Sequence, residues 1–339
     1  MTKATVVTVT GVTGDFKVRE TVRDKSSKSK MDMLKKAFGE ELFGRLDLVE
    51  ADLLDEESLI SACEGSTYIV HTASPVLFNS KDEDKLVKPA VSGTVAIMKA
   101  ARKHGVKKVV ITSSTAAIVA GHKDRTTAFT EEDWSKLEDD TGAYFKSKTL
   151  AEKAAWDFVK DLPEEERFGL VTINPVIVLG PTLTGGYSET VDLGKQIVMG
   201  DIPMYPQTTI PVVDVRDVSN AHLQAVLRDD ADGNRFILSA ETVDMIKLSE
   251  CLVQTYGKDY NIEPKAMSWL MCGFMALFNE EVREQFKLWK KVIAFDGSKA
   301  TRMLGIQYIK HDRMMNDMVP SLIETGYIPD KRSSSKVAN

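Results

Sequence analysis

Tyr144 and Lys148 stand four residues apart in the segment Gly142-Ala-Tyr-Phe-Lys-Ser-Lys148. On a helix that spacing sets both side chains on one face, about one turn apart, so a phenol and an ammonium address the same small volume. A tyrosine with an unperturbed pKa of about 10 works as a proton donor near neutral pH if a neighbouring cation favours its anion. Upstream, Val109-Val-Ile-Thr-Ser-Ser114 reads as a buried strand that ends in hydroxyls, and a serine there can donate a hydrogen bond to a substrate carbonyl. The Tyr-x-x-x-Lys spacing alone is common on solvated helix faces. Its weight comes from the elements around it.

Residues 5–9 are β-branched and apolar, the pattern of a strand buried on both faces of a parallel sheet, and they run into Thr10-Gly-Val-Thr-Gly14. A glycine turn of this kind lets backbone amides approach a pyrophosphate. Further strands are read at residues 16–22, 46–50, 68–72, 109–112 and 170–174. Helices fall between them at 31–38, at 56–63 behind Asp55, from Pro89 to Arg102 with Gly105 as its cap, and at 145–159. This alternation gives an α/β fold, a parallel sheet with helices on both faces, whose ligands lie beyond the carboxyl ends of the strands. The turns at Gly11 to Gly14, Arg23, Asp52, residues 72–74 and residues 113–114 all follow strand ends, which places them at one shared site. Beyond Pro175 the rhythm loosens, with helices at 188–199 and 218–227 and strands at 210–217 and 235–239. Residues 267–291, rich in Met, Phe, Leu and Trp, read as the apolar lining of a smaller lobe packed over the sheet. The sheet domain covers 1–174, the lobe 175–330 interleaved with the last strands, and 331–339 form a polar, disordered tail.

At 339 residues with a formal charge of −6, the chain gives no reason to expect nucleic acid or an anionic membrane as partner. Cys63, Cys251 and Cys272 are odd in number and widely spaced, which suits a reducing compartment better than a disulfide framework. No secretory signal is visible, and the longest apolar run is shorter than the roughly 20 residues a bilayer requires. A cytoplasmic protein, monomer or homodimer, is the expectation. The histidines lack metal-ligand spacing, and His71 reads as a satisfied core residue rather than a base. No metal site is expected.

Taken in order, T-G-V-T-G at Thr10, T-V-R-D at Thr21, A-D-L at Ala51, H-T-A-S-P-V at His71, A-V-S-G-T at Ala90, T-S-S at Thr112, Y-x-x-x-K at Tyr144, I-N-P-V-I-V-L-G-P at Ile173 and V-D-V-R-D at Val213 resemble the extended short-chain dehydrogenase/reductases of the NAD-dependent epimerase/dehydratase type. Within them the chain is most similar to the dihydroflavonol reductase, cinnamoyl-CoA reductase and yeast-type aldehyde/methylglyoxal reductase branch, and F-D-G-S-K-A-x-x-x-L-G-I at Phe295 extends the likeness over nearly the whole chain. The resemblance implies a Rossmann-like doubly wound parallel sheet with a smaller C-terminal substrate lobe. It implies an oxidoreductase that uses NADP(H), with NAD possible, to reduce a small-molecule aldehyde or ketone, or in reverse to oxidise a secondary alcohol. Tyr144 would protonate the carbonyl oxygen as hydride arrives, and Lys148 would lower its pKa while holding the nicotinamide ribose. Ser114 would polarise the carbonyl, with Ser113 as the competing choice. Gly11 and Gly14 would face the pyrophosphate, Arg23 and Lys30 the 2′-phosphate, Asp52 and Leu53 the adenine, and Pro175 and Val178 the nicotinamide. Ser188 is a further cofactor candidate. Read without that context, Arg23 and Lys30 belong to a solvated loop, Asp52 starts a turn, and Asn174-Pro175 is a strand end.

The chain departs from the family pattern after Gly14. The third glycine and the first crossover helix are absent, and only Gly11 to Asp15 separate the first two strand patterns. A parallel crossover normally needs at least about 10 to 12 residues, whereas five can make a hairpin. Glu20 adds a negative charge near the phosphates, where the family often has a small residue. Three explanations compete: a truncated form of an ordinary reductase, a diverged paralogue that binds cofactor poorly, or a displaced first strand. The functional alternatives are a non-catalytic or cofactor-impaired member acting as a binding protein, and an NAD-dependent epimerase or 3β-hydroxysteroid dehydrogenase type.

Overall fold

The computed structural model describes residues 6–10, 16–74, 83–123, 125–138, 141–184 and 188–332. The first half runs β1 (Val6–Thr10), β2 (Lys17–Val22), α1 (Lys28–Arg45), β3 (Asp47–Glu50), α2 (Glu56–Ala62), β4 (Tyr68–His71), α3 (Glu83–His104), β5 (Lys108–Thr112), α4 (Ala116–Val119) and α5 (Ala143–Asp161). The second runs β6 (Gly169–Pro175), β7 (Ile177–Leu179), α6 (Glu189–Met199), β8 (Thr209–Asp214), α7 (Val215–Leu227), β9 (Asn234–Leu238), β10 (Glu241–Asp244), α8 (Lys247–Tyr260), α9 (Trp269–Met275), α10 (Glu280–Lys287), α11 (Ser298–Leu304) and α12 (His311–Glu324).

The main sheet has the order β3-β2-β1-β4-β5-β6-β9. Strands β4, β5, β6 and β9 pair in parallel, and β2 pairs in parallel with β3. Alternation along these strands feeds two cores, as a pleated sheet covered on both faces requires. Ile69, Val109 and Ile111 meet Leu59 of α2, Ile97 and Ala101 of α3 and Ala155 of α5. Val70, Val110, Val171 and Ile173 face the other way, onto Val218 and Ala221 of α7 and Leu304 of α11. Each such side chain, once fully buried, stabilises the fold by roughly 1.5–3 kcal/mol. A second, three-stranded sheet, β10-β8-β7, carries its own core with α6, α8 and α12, built on Ile197, Leu252 and Met318.

One strand breaks the expected pattern. β1 keeps a central slot between β2 and β4 but runs antiparallel to both. Thr10 pairs with Lys17 and Val9 with Tyr68, so the carboxyl end of β1 meets the amino ends of its neighbours. The expectation of a parallel first strand is therefore corrected, and the reason is chain length: five residues span a hairpin but not a crossover with its helix. Gly11 and Gly14 lie outside the described residues. The residues that flank them, Thr10 and Phe16, stand at the rim opposite the carboxyl ends of the other strands.

Three smaller expectations are also corrected. Helix α3 starts at Glu83 and carries Pro89 inside it rather than at its first turn. Proline without an N–H forfeits one helical hydrogen bond there, and the long buried face formed by Ala96, Ile97 and Ala100 holds the helix regardless. Helix α1 runs longer than 31–38, changes direction at Gly39 and buries none of its residues. Residues 267–291 are mostly surface rather than core lining: Met267, Cys272 and Ala276 are buried, but Leu270, Phe274, Leu277 and Phe278 are 75%, 64%, 68% and 77% exposed.

Gly121 fixes the loop that follows α4. Its φ is +72°, and a Cβ there would stand 2.2 Å from the Lys136 carbonyl oxygen. Gly121→Ala is expected to lower stability by about 2 kcal/mol or more, since a left-handed backbone and a clash with a carbonyl are both forced on alanine. Chemical denaturation of the two proteins checks it.

Candidate active site

The site is assembled at the carboxyl ends of β5 and β6 by backbone pairing that continues past the strands. Ser113 N donates to the Ile173 carbonyl at 2.8 Å, and Thr115 N donates to that of Pro175 at 3.1 Å. These bonds fix the segment carrying both candidate serines. Alternation then separates the two. Thr112 turns toward α7, where its hydroxyl lies 2.7 Å from His222 Nε2. Ser113 turns toward α5, where its hydroxyl donates to the buried Glu152 carboxylate. Ser114 leaves the strand, accepts from Ala116 N at 3.1 Å and bears on the Tyr144 phenol, whose pKa it lowers. Of the two candidates, Ser114 is the one that meets the phenol.

Tyr144 and Lys148 project from the first turns of α5, whose observed span of Ala143–Asp161 encloses the residues 145–159 read from the sequence. The Lys148 ammonium lies 6.0 Å from the centroid of the Tyr144 ring. Lys148 is buried, and burial pulls its pKa down to about 8, with Glu152 one turn further on opposing the fall. Burial also raises the Tyr144 phenol above its ordinary range, against the lowering by Ser114, while Glu189 at the start of α6 adds to the rise. Burial is the largest influence on the phenol, and the one charge acting on it, Glu189, works in the same direction. Tyr144 consequently holds its proton at neutral pH, the form a proton donor needs. His71, at the end of β4, is pushed down to about 4 by burial and by Lys148, and its Nδ1 is buried without a hydrogen-bond partner among the described residues. It is a core histidine, as read from the sequence, but not a satisfied one.

The remaining candidates are spread along the same rim. Arg23 follows β2 and is exposed; Lys30 lies in the first turn of α1. Asp24 is occupied locally, accepting from Ser26 N at 2.8 Å and Ser26 Oγ at 2.6 Å. Asp52 accepts from Leu54 N at 2.9 Å, the turn-forming role that its position after β3 suggested. Leu53 packs on α3 at Gly93, where a Cβ would come within 2.4 Å of Leu53 Cδ1. Pro175 holds Thr115 through its carbonyl, and Val178 packs against the core beneath α7. Ser188 caps α6, accepting from Val191 N at 3.3 Å. Asp214 of the V-D-V-R-D segment is structural: it caps α7 and holds Arg216 through both carboxylate oxygens, at 2.9 and 2.7 Å.

Ser114, Tyr144 and Lys148 are thus brought together, with Pro175 touching the same loop. Arg23, Asp52 and Leu53 stand beyond the slot of β1, whose carboxyl end is at the other rim. A nicotinamide dinucleotide fits the residues at its two ends, a buried ammonium beside a phenol and an exposed guanidinium after β2. The turn that would meet its pyrophosphate does not follow a strand pointing toward the site.

A model of the 3-beta hydroxysteroid dehydrogenase/isomerase family matches residues 11–244. The chain belongs to that family. Members similar to it are reductases: "Anthocyanidin reductase" of Arabidopsis thaliana is 32% identical over 309 residues, covering 84% of this chain and 88% of the relative. The "Putative NADPH-dependent methylglyoxal reductase GRP2" of Candida albicans is 32% identical over 275 residues, covering 76% of each. "Cinnamoyl-CoA reductase CAD2" of Medicago truncatula is 34% identical, covering 69% of this chain and 76% of the relative. Among solved structures, Gre2 of Candida albicans in complex with NADPH superposes with a TM-score of 0.71 at 27% identity, covering 92% of both chains. The yeast methylglyoxal/isovaleraldehyde reductase Gre2 complexed with NADPH gives a TM-score of 0.74 at 24% identity, covering 92% of this chain and 93% of that one, which shows the fold. These matches agree with the branch suggested by the motifs.

The sequence reading missed Glu152, and it weighed Asn174 only as a strand end. Glu152 had a visible signal, since it repeats the four-residue spacing after Lys148 and so lies on the same helix face. Arg235 had none: it lies 83 residues from its partner Glu152.

Proposed function

We propose that this member of the family is an NADPH-dependent reductase of small aldehydes or ketones, running in reverse as a secondary-alcohol dehydrogenase. The observation that carries the reading is that Ser114, at the end of β5, bears on the Tyr144 phenol, while the Lys148 ammonium lies 6.0 Å from the centroid of the same ring. Lys148 and Tyr144 would hold the nicotinamide ribose, Arg23 and Lys30 the 2′-phosphate, Asp52 and Leu53 the adenine, and Pro175 and Val178 the nicotinamide, with Ser188 a further cofactor contact. NADPH, when bound, supplies hydride to the carbonyl carbon. Ser114 donates a hydrogen bond to the carbonyl oxygen and so favours charge developing there. Tyr144 passes its proton to that oxygen. Lys148, charged below its pKa of about 8, stabilises the phenolate left behind.

Ser114→Ala is expected to lower kcat by about 10²-fold, the range seen when one oxyanion donor is removed, with little change in NADPH affinity. Steady-state assays following NADPH absorbance over a panel of aldehydes and ketones test it, and an unchanged kcat would reject the role. Arg23→Ala should raise the Kd for NADPH about tenfold while leaving NADH nearly unaffected, as expected for loss of one phosphate contact. Equal weakening of both cofactors would remove Arg23 from the 2′-phosphate site.

A second reading, a cofactor-impaired binding protein, is favoured by the direction of β1, because a reversed strand carries its following turn away from the rim where the pyrophosphate would lie. Titration of NADPH fluorescence separates the two: saturable enhancement supports the reductase, and no change supports the binding protein.

A further inference from the structure

Beneath the serines and the lysine lies a buried charge that the proposed reaction does not use. Glu152 is 1% exposed and accepts five side-chain hydrogen bonds, one of them a long 3.5 Å contact from Trp156 Nε1 on its own helix. Ser113 Oγ and Asn174 Nδ2 reach Oε2, the latter at 2.7 Å, while Thr172 Oγ1 and Arg235 Nε reach Oε1 at 3.0 and 2.7 Å. Asn174 Nδ2 also donates to the Ser114 carbonyl at 3.2 Å. Arg235 continues the network outward. Its Nη1 donates to the carbonyls of Glu131 at 2.6 Å and Asp133 at 2.8 Å, and its guanidinium lies 3.7 Å over the Trp134 ring.

We propose, on the reductase reading above, that Glu152 is the positioning residue of the site: with Arg235 it locks the end of β5, strand β6 and residues 131–134 against α5, so that the Ser114 hydroxyl stays on Tyr144. A carboxylate and a guanidinium are costly to bury, and these two join the serine-bearing end of β5, the helix with Tyr144 and Lys148, and the loop that follows α4. Each partner of Glu152 is a donor, so a carboxamide of the same shape must turn an N–H toward one of them. Lys148 also senses the change. It faces Glu152 and Tyr144 on its own helix and His71 on β4, while Glu189 of α6 faces Tyr144. Glu152 is the group among these that holds the Lys148 pKa up.

The test is Glu152→Gln, assayed beside Tyr144→Phe. Glu152→Gln is expected to lower kcat about 10- to 100-fold with NADPH affinity unchanged, and to move the basic limb of the kcat–pH profile to lower pH. A wild-type kcat and an unmoved limb, alongside an inactive Tyr144→Phe, would overturn the positioning role and leave the reductase reading intact. An active Tyr144→Phe would instead sink the reductase reading itself. Should Glu152→Gln fail to fold, Ser113→Ala removes one donor and leaves the ion pair in place. It should melt near the wild-type temperature yet lose about 3- to 10-fold in kcat, with Ser113→Thr restoring most of it. Wild-type kcat in Ser113→Ala would overturn the proposal.

Discussion

Tyr144→Phe should lower the rate of carbonyl reduction by about 10³-fold, within the range general acids contribute, while NADPH, still held through Lys148 at the ribose and Arg23 and Lys30 at the 2′-phosphate, loses at most a few-fold in affinity. The substitution removes one oxygen and keeps the ring, so the packing of α5 is unchanged and the loss falls on proton delivery. Ser114 then has no phenol to meet, and Lys148 has no developing anion to stabilise. Both remaining groups still polarise the substrate, which leaves some residual activity rather than none. Retention of most of the turnover would show that Tyr144 is not the donor.

The second large effect concerns Lys148. Lys148→Met removes the buried ammonium beside the phenol and is expected to reduce kcat by about 10²-fold or more, because the Tyr144 anion would form in an apolar pocket with no compensating charge. The pH dependence gives an independent check. Lys148 is charged below about 8 and neutral above it, whereas the Tyr144 pKa is raised from its ordinary value. As pH rises, Lys148 is therefore the first of the two to lose its proton, and kcat for reduction should be level up to about 8 and fall beyond it. Lys148→Arg keeps the charge at every working pH. Its rate should be lower at neutral pH because the geometry is wrong, but the fall near 8 should vanish. A limb that persists unchanged in Lys148→Arg would assign it to another group.

The sequence made the strand and helix alternation legible because the buried strands are short apolar runs bounded by turn residues, as at 68–71 and 108–112. It also located Tyr144 and Lys148 on one helix face, since helical spacing is local information. The serine choice needed the pleat: parity along β5 sends Ser113 to Glu152 and frees Ser114, and parity can be counted but its direction cannot be known before the sheet is assembled. Loop length held the clue to β1, for five residues cannot make a crossover; a buried strand pattern does not record direction, and the hairpin reversed it. Residues 267–291 misled because apolar composition was read as burial, while composition carries no information on which neighbours exist. The Glu152–Arg235 pair was out of reach for the same reason, its partners coming from β5, β6, β9 and α5.

The most direct test follows one atom. The protein is incubated with NADPH deuterated at the transferable position of the nicotinamide and with a panel of aldehydes and ketones, and the alcohols formed are weighed by mass spectrometry. A hydroxyl, a phenol and an ammonium gathered at this rim predict one deuterium on the carbinol carbon of a product, and a loss of about 10³-fold in its rate of formation in Tyr144→Phe. No deuterium in any product of the unaltered protein, or equal rates of incorporation by the two, would contradict it.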